Sequence, residues 1–285
     1  MRKQPGFTLS IIVGLCLALF PSFEIPRAYV LKGPHILHLM TERLGKAKRL
    51  LVSQTLEMYD PSTGAEIHHL QETVRFFFPE RFRSDTVSEI SSRIHLVSNG
   101  HSITLMDGRI TSENETRFDR YKDILLYNRR ERLQERLATL GLDVSISSFG
   151  KYQGKPAFVI GTQYPAPAAS ELWIEKKTFK PVRWIFRQPG IDRFRKETEI
   201  RYGQWKKHES IWYPMVTEWY LDGRLTRKIK VDRIEVNPDF SVDLFAIDRP
   251  EAVNSQKAPA PETTSPADDI NEIQQAIDEF KRIYQ

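Results

Sequence analysis

The sequence predicts a mainly β protein, a long antiparallel meander with a few helices laid over it. Three observations predict it. From Glu171 to Ile247 large aromatic residues recur at every other position, the period that puts alternate side chains on one face of a strand. Asn99-Gly100, Asp107-Gly108 and Asp222-Gly223 are the pairs that tight hairpin turns require. Helical spacing of apolar residues is confined to two stretches before residue 250.

Taken in order, Arg2 and Lys3 precede an uncharged run from Phe7 to Phe20. The run is short for a membrane-spanning helix and has the layout of a secretory signal. Residues 1–28 are therefore expected to be a signal peptide, or an N-terminal anchor if uncleaved: Ala28 suits a cut and Pro26 does not. Cys16, the one cysteine, lies in this run behind Leu15, which is large for a lipid-attachment site. A mature chain without it has no disulfide, no catalytic thiolate and no cysteine-ligated metal.

The folded domain is expected over 29–250. Gly33-Pro34 opens a helix in which Ile36, Leu39, Met40, Leu44 and Ala47 form an apolar stripe. From Arg49 the period changes to two, with Leu50, Val52, Gln54 and Leu56 opposite Leu51, Ser53 and Thr55. Past the turn at 60–64, strands are expected at 67–78, 81–87, 93–98 and 102–106. Phe118, Tyr121, Leu125, Leu133, Leu137 and Leu140 suit a second helix, and Gly141 is placed to end it. Strands at 144–149 and 157–163 lead through the hinge 164–169 into the meander. Its pieces are 171–175, 181–187, 198–202, 212–220 and 225–231. About eleven strands and two helices result, with no repeat. Residues 251–285 differ: 258–266 read as a flexible linker. Ile270, Ile273, Ile277, Phe280 and Tyr284 then line one face of a terminal amphipathic helix, free to fold back or to bind a partner.

Of the net charge of +5, residues 1–28 hold +2, residues 251–285 hold −4, and the body holds +7. Such a body suits anionic surfaces, phospholipid headgroups among them, or is simply a solvated basic surface. Its cations are interleaved along strands, not gathered in a tract, which disfavours nucleic acid.

Chemistry finds little to stand on. His35 and His38, and the pair His68-His69, lack a third ligand at metal-site spacing. There is no Gly-x-Ser-x-Gly elbow and no glycine-rich phosphate loop. Glu171, Glu175, Glu197 and Glu199 alternate with apolar residues as solvent-face positions do. No catalytic residue, metal or cofactor is expected. What remains is the apolar alternation itself, shared by Val74, Phe76 and Phe78, by Ile94 and Leu96, and by Ile103 and Leu105. Each such residue can simply pack a core. As a set, with only two short helices to cover them, they can also leave part of a concave face unfilled. An acyl chain there would gain about 0.8 kcal/mol per buried methylene.

Three segments carry a family likeness: Leu-Trp-Ile-Glu-Lys-Lys-Thr-Phe-Lys-Pro-Val-Arg-Trp (172–184), Trp-Tyr-Pro-Met-Val-Thr-Glu-Trp-Tyr-Leu-Asp-Gly-Arg-Leu (212–225) and the closing Val-Asn-Pro-Asp-Phe-Ser-Val-Asp-Leu-Phe-Ala-Ile (236–247). With them and the early Leu-Val-Ser-Gln-Thr-Leu (51–56), the chain resembles the LolA-like periplasmic carriers, the outer-membrane lipoprotein-sorting proteins, over 35–248. The resemblance implies an incomplete, strongly curved antiparallel barrel, helices plugging its mouth, and a cavity for acyl chains. It also implies a polar latch between lid and barrel, in whose strand region Arg75 and Arg81 lie. The lining expected on this basis is Phe76, Phe78, Ile94, Leu96, Leu105, Trp184, Phe186 and Trp219, with Ile36, Leu39 and Met40 as lid. The implied role is that of a monomeric periplasmic carrier for a lipid or acylated protein, served by inner- or outer-membrane proteins. The insertion at 118–141 and the tail 251–285 depart from the pattern. They leave open an envelope sensor or scaffold, its half-barrel filled by its own side chains and its terminal helix bound to a partner.

Overall fold

The computed structural model describes residues 30–88, 91–165, 169–187 and 197–247. The expected signal segment 1–28 and the linker and terminal helix of 251–285 lie outside them. Thirteen strands form one sheet: β1 (Arg49–Tyr59), β2 (Glu66–Phe77), β3 (Arg81–Val87), β4 (Ser92–Ser98), β5 (His101–Met106), β6 (Arg109–Ser112), β7 (Ser147–Tyr152), β8 (Lys155–Ile160), β9 (Glu171–Glu175), β10 (Pro181–Arg187), β11 (Glu197–His208), β12 (Ile211–Leu221) and β13 (Arg224–Val236). Their order is β6-β5-β4-β3-β2-β1-β13-β12-β11-β10-β9-β8-β7. The sheet does not close: it is two meanders joined where β1 pairs antiparallel with β13, from Leu50 opposite Val236 to Met58 opposite Arg227.

Local chemistry fixes the hairpins. Asn99, Asp107 and Asp222 sit at φ 50, 48 and 51, and the glycines after them at 84, 80 and 79, the left-handed pair that the hairpin turn demands. β6, Arg-Ile-Thr-Ser, is the strand that alternation did not reveal: it is short, with three of its four residues exposed. The other strands each bury at least one face, which is what marks them in the sequence.

The sheet must curl. Laid flat, thirteen strands would span roughly 60 Å. Yet Met106 from β5 and Phe158 from β8, near opposite edges, belong to one buried apolar cluster with Leu50, Val74, Ile200 and Trp219. The inner face is covered by helices. Helix α1 (Gly33–Leu44) supplies Ile36, Leu37, Met40 and Leu44. The expected second helix is three pieces: a 3-10 turn at Asp119–Lys122, α2 (Asp123–Leu126) and α3 (Arg130–Thr139). Arg129, extended at φ −117 and ψ 135, breaks it. Its apolar stripe survives the break, with Phe118, Tyr121, Leu125, Leu133 and Leu137 all buried. Gly141 (φ 78) does end α3, letting the Leu142 N–H return to the Leu137 carbonyl at 3.0 Å.

The expected unfilled cavity is occupied. Tyr121, Ile124, Leu125, Leu126, Leu133 and Leu137 of the insertion join the α1 residues in the core cluster. An apolar slot of about 20 Å³ remains on that face. The outer face of β2–β5 carries a strap. After β13 the chain forms a 3-10 turn, Val242–Phe245, whose Leu244 carbonyl accepts from Arg83 Nη1 at 3.1 Å. Phe245 packs near Phe77, and Ile247 covers Leu96, Ile103 and Leu105.

Candidate functional site: the helical plug and its mouth

The sheet brings together only part of the expected lining. Phe76, Trp184, Phe186 and Trp219 lie in the inner cluster with Ile36 and Met40. Phe78 packs at its edge, just past the end of β2. Ile94, Leu96 and Leu105 form a separate cluster under the strap. They face outward, because their neighbours His95 and Val97 face in: Val97 belongs to the inner cluster, and the His95 ring lies tilted beside Phe82 at 6.2 Å. On α1 it is Leu37, not Leu39, that is fully buried; Leu39 is half-buried.

What faces inward from β4 is polar. Arg93 Nη2 donates to Asp119 Oδ1 at 2.8 Å, with both side chains almost out of solvent. His95 Nδ1 meets Thr104 Oγ1 at 3.0 Å, and its Nε2 lies 3.7 Å from Glu115. The rest of the network belongs to the insertion. Lys122, fully buried, bonds Glu115, the Asp119 carbonyl at 2.9 Å and Asp123 at 3.3 Å. Arg136 reaches Glu115 and also Asp123, the latter at 2.7 Å. Deeper in, buried Glu72 accepts from Ser84 and, at 2.6 Å, from Gln54. Tyr202 OH donates to the Tyr121 carbonyl at 3.2 Å. The 3-10 turn is thus held to the sheet by ions and hydrogen bonds as well as by apolar packing.

Burial opposes the charge on Asp119, but Arg93, with His95 and Lys122, wins and holds its carboxyl well below the usual range. Burial also opposes Glu115, and Lys122, His95 and Arg136 pull it down in the same way. Asp123 goes up, because burial and the neighbouring Glu115 outweigh its cations. Burial works against the Lys122 ammonium, yet Asp123, Glu115 and Asp119 raise it to about 12.

The latch implied by the resemblance does not fall on Arg75 or Arg81. Arg75 points outward to Asp85 at 2.6 Å, and Arg81 lies over the Phe77 ring at 5.5 Å. Arg93 instead reaches the insertion, at Asp119. Glu171 and Glu199, expected on a solvated face, are on the outer face but buried beneath arginines: Arg187 bonds Glu171 at 2.6 Å, while Arg183 and Arg201 hold Glu199 at 2.7 and 2.5 Å. Among the described residues no group of three or more His, Cys, Asp or Glu could hold a metal ion. No helix among them is long and apolar enough to cross a membrane.

Where α1 meets the insertion the plug has a mouth. A cleft of about 740 Å³ opens between His38, Thr41 and Glu42 of α1, the Lys46–Lys48 loop, Phe77–Pro79, and Asn128–Glu131. Thr41, Ala47, Phe78 and Asn128 also line the apolar slot, which continues down to Leu44, Leu50, Ile124, Leu125, Ile211 and Tyr213.

No protein-family model matches the sequence, and no curated protein matches it. Solved structures do match. A domain described as an outer membrane lipoprotein-sorting protein domain, from Vibrio parahaemolyticus, aligns with TM-score 0.50 at 9% identity, over 77% of this chain and 98% of that one. A LolA superfamily protein from Nitrosomonas europaea aligns with TM-score 0.52 at 12% identity, over 77% and 99%. A DUF1329 family protein from Desulfovibrio piger aligns with TM-score 0.50 at 9% identity, over 76% and 96%. At such identities the likeness is one of fold. The chain has the LolA-like fold, an unclosed curved antiparallel sheet with helices on its inner face.

Proposed function

We propose that the protein is an exported, non-enzymatic carrier that holds the acyl chains of a lipid or acylated protein against the inner face of its sheet. The observation that supports this reading is the nature of the cover. The apolar inner face is closed by α1 and by a broken, three-piece insertion, not by a second sheet. Such a plug can be exchanged for a ligand of like apolarity. Each methylene buried in its place contributes about 0.8 kcal/mol, so the net change on exchange is small. The plugged state also leaves the indole nitrogens of Trp184 and Trp219 buried without an acceptor, and the ester or amide carbonyl of an acylated ligand is such an acceptor. Export rests on residues 1–28, and the periplasm is the compartment that suits both the signal and the fold.

Natively purified protein, extracted with organic solvent and analysed by mass spectrometry, should yield lipid. A fluorescent fatty acid should bind wild type and bind less well to Trp184→Arg at unchanged far-UV circular dichroism. Lipid-free protein that takes up no probe would sink the reading. One observation favours a second reading, an envelope sensor or scaffold. The interior is already full and is pinned by a buried ion network, as a permanently closed domain would be. Deleting 251–285 separates the two: a carrier still binds lipid, whereas a scaffold loses its partner.

A further inference from the structure

The structure assigns to the mouth between α1 and the insertion a binding site for an amphiphile with an anionic head. The assignment rests on the carrier reading and adds where the ligand enters and what head it carries. Its first support is the continuity of cleft and slot, which share Thr41, Ala47, Phe78 and Asn128. A polar, solvent-open vestibule therefore leads straight onto apolar side chains. The slot, about 20 Å³, has room for about one water and none for an acyl chain. A tail therefore enters only as lining residues such as Ile124 and Leu125 give way.

Its second support is charge. The acids of the mouth are already matched: Glu42 by Lys46 at 2.8 Å, Glu131 by Arg130 at 2.5 Å, and nearby Glu80 by Arg132 at 3.1 Å. Lys48 and Arg129, both exposed on the cleft, have no ion-pair partner among the described residues. The two unpaired cations of the cleft, Lys48 and Arg129, attract a carboxylate or phosphate head and leave its tail at the apolar slot that continues from the cleft.

The test uses full-length protein and three probes: a fluorescent long-chain fatty acid, its methyl ester, and inorganic phosphate. The free acid should bind about tenfold more tightly than the ester, the scale of one charge-assisted hydrogen bond. Lys48→Glu/Arg129→Glu, both at exposed positions, should bring the acid down to the ester and leave the ester unchanged. Phosphate at millimolar concentration should not displace the acid. Equal binding of acid and ester, or an indifferent double variant, overturns the anionic head while the carrier reading stands. Displacement by phosphate overturns the amphiphile in favour of a free-anion site. If neither lipid probe binds, the carrier reading itself fails.

Discussion

Arg93 and Asp119 lie 2.8 Å apart with 3% and 7% of their side chains exposed, so each is the main reason the other can be buried. Removing one leaves an uncompensated charge. Arg93→Met should therefore cost about 3–5 kcal/mol in urea unfolding, and Arg93→Met/Asp119→Leu distinctly less than that. Equal losses in the single and double variants would show that the pair is not coupled. The network also fixes an acid limb. Glu115 and Asp119 are held below their ordinary 4.5 and 3.8, so their contribution is present above those values and lost as pH falls through the folded ones. Lys122, raised from 10.5 to about 12, contributes below 10.5 and loses its contribution as pH climbs toward 12. The share owed to Glu115 and Asp119 should thus fall below about pH 4, opposed in part by Asp123, whose raised carboxyl favours the folded state as pH drops. The double variant should flatten that fall; an unchanged acid slope would rule out the network as its source. None of this was legible in the sequence. Arg93 and His95 alternate with Ile94 and Leu96, and the apolar pair was the natural choice for the inside. The strap buries the outer face of β4 as well, so alternation there says nothing about which side is which. The partners that tip the balance lie on the insertion, far along the chain.

Helix α1 shows the same limit at the scale of an element. Its existence and start were plain from Gly33-Pro34 and the apolar spacing, but its buried face runs through Ile36, Leu37, Met40, Thr41 and Leu44. Leu39 is off that face because α1 beds between the sheet and α3, and only the packing decides which flank of a broad stripe goes in. Leu37→Ala should accordingly cost about 2–5 kcal/mol and Leu39→Ala less than about 1 kcal/mol, read as thermal or urea unfolding. The reverse order would mean that the helix is rotated from the position described. Turns were the most legible elements, because a left-handed residue pair leaves its mark in two letters, as at Asn99-Gly100 and Asp222-Gly223. The insertion was legible in its apolar stripe and not in its breaks, since nothing about Tyr127–Arg129 as residue types forbids a helix.

For the whole molecule, the decisive pairing is that of β1 with β13, whose flanks are tied by the Asn237 side chain accepting from the Lys48 N–H across 189 positions of sequence. Adjacent hairpins could be read locally; this contact could not, because neither strand carries a mark of the other. A fragment ending at residue 223 lacks β13 altogether and should show no cooperative unfolding transition by circular dichroism, whereas a fragment ending at 247 should unfold in one step. A cooperative transition in the shorter piece would mean that each meander folds alone. The pairing also sets a schedule. During synthesis the early strand, with Leu50, Val52, Leu56 and Met58 bare along one side, must wait for a mate far along the chain. Until then it is a sticky seam, and a holdase that shields that seam would decide how much of the polypeptide reaches its native state.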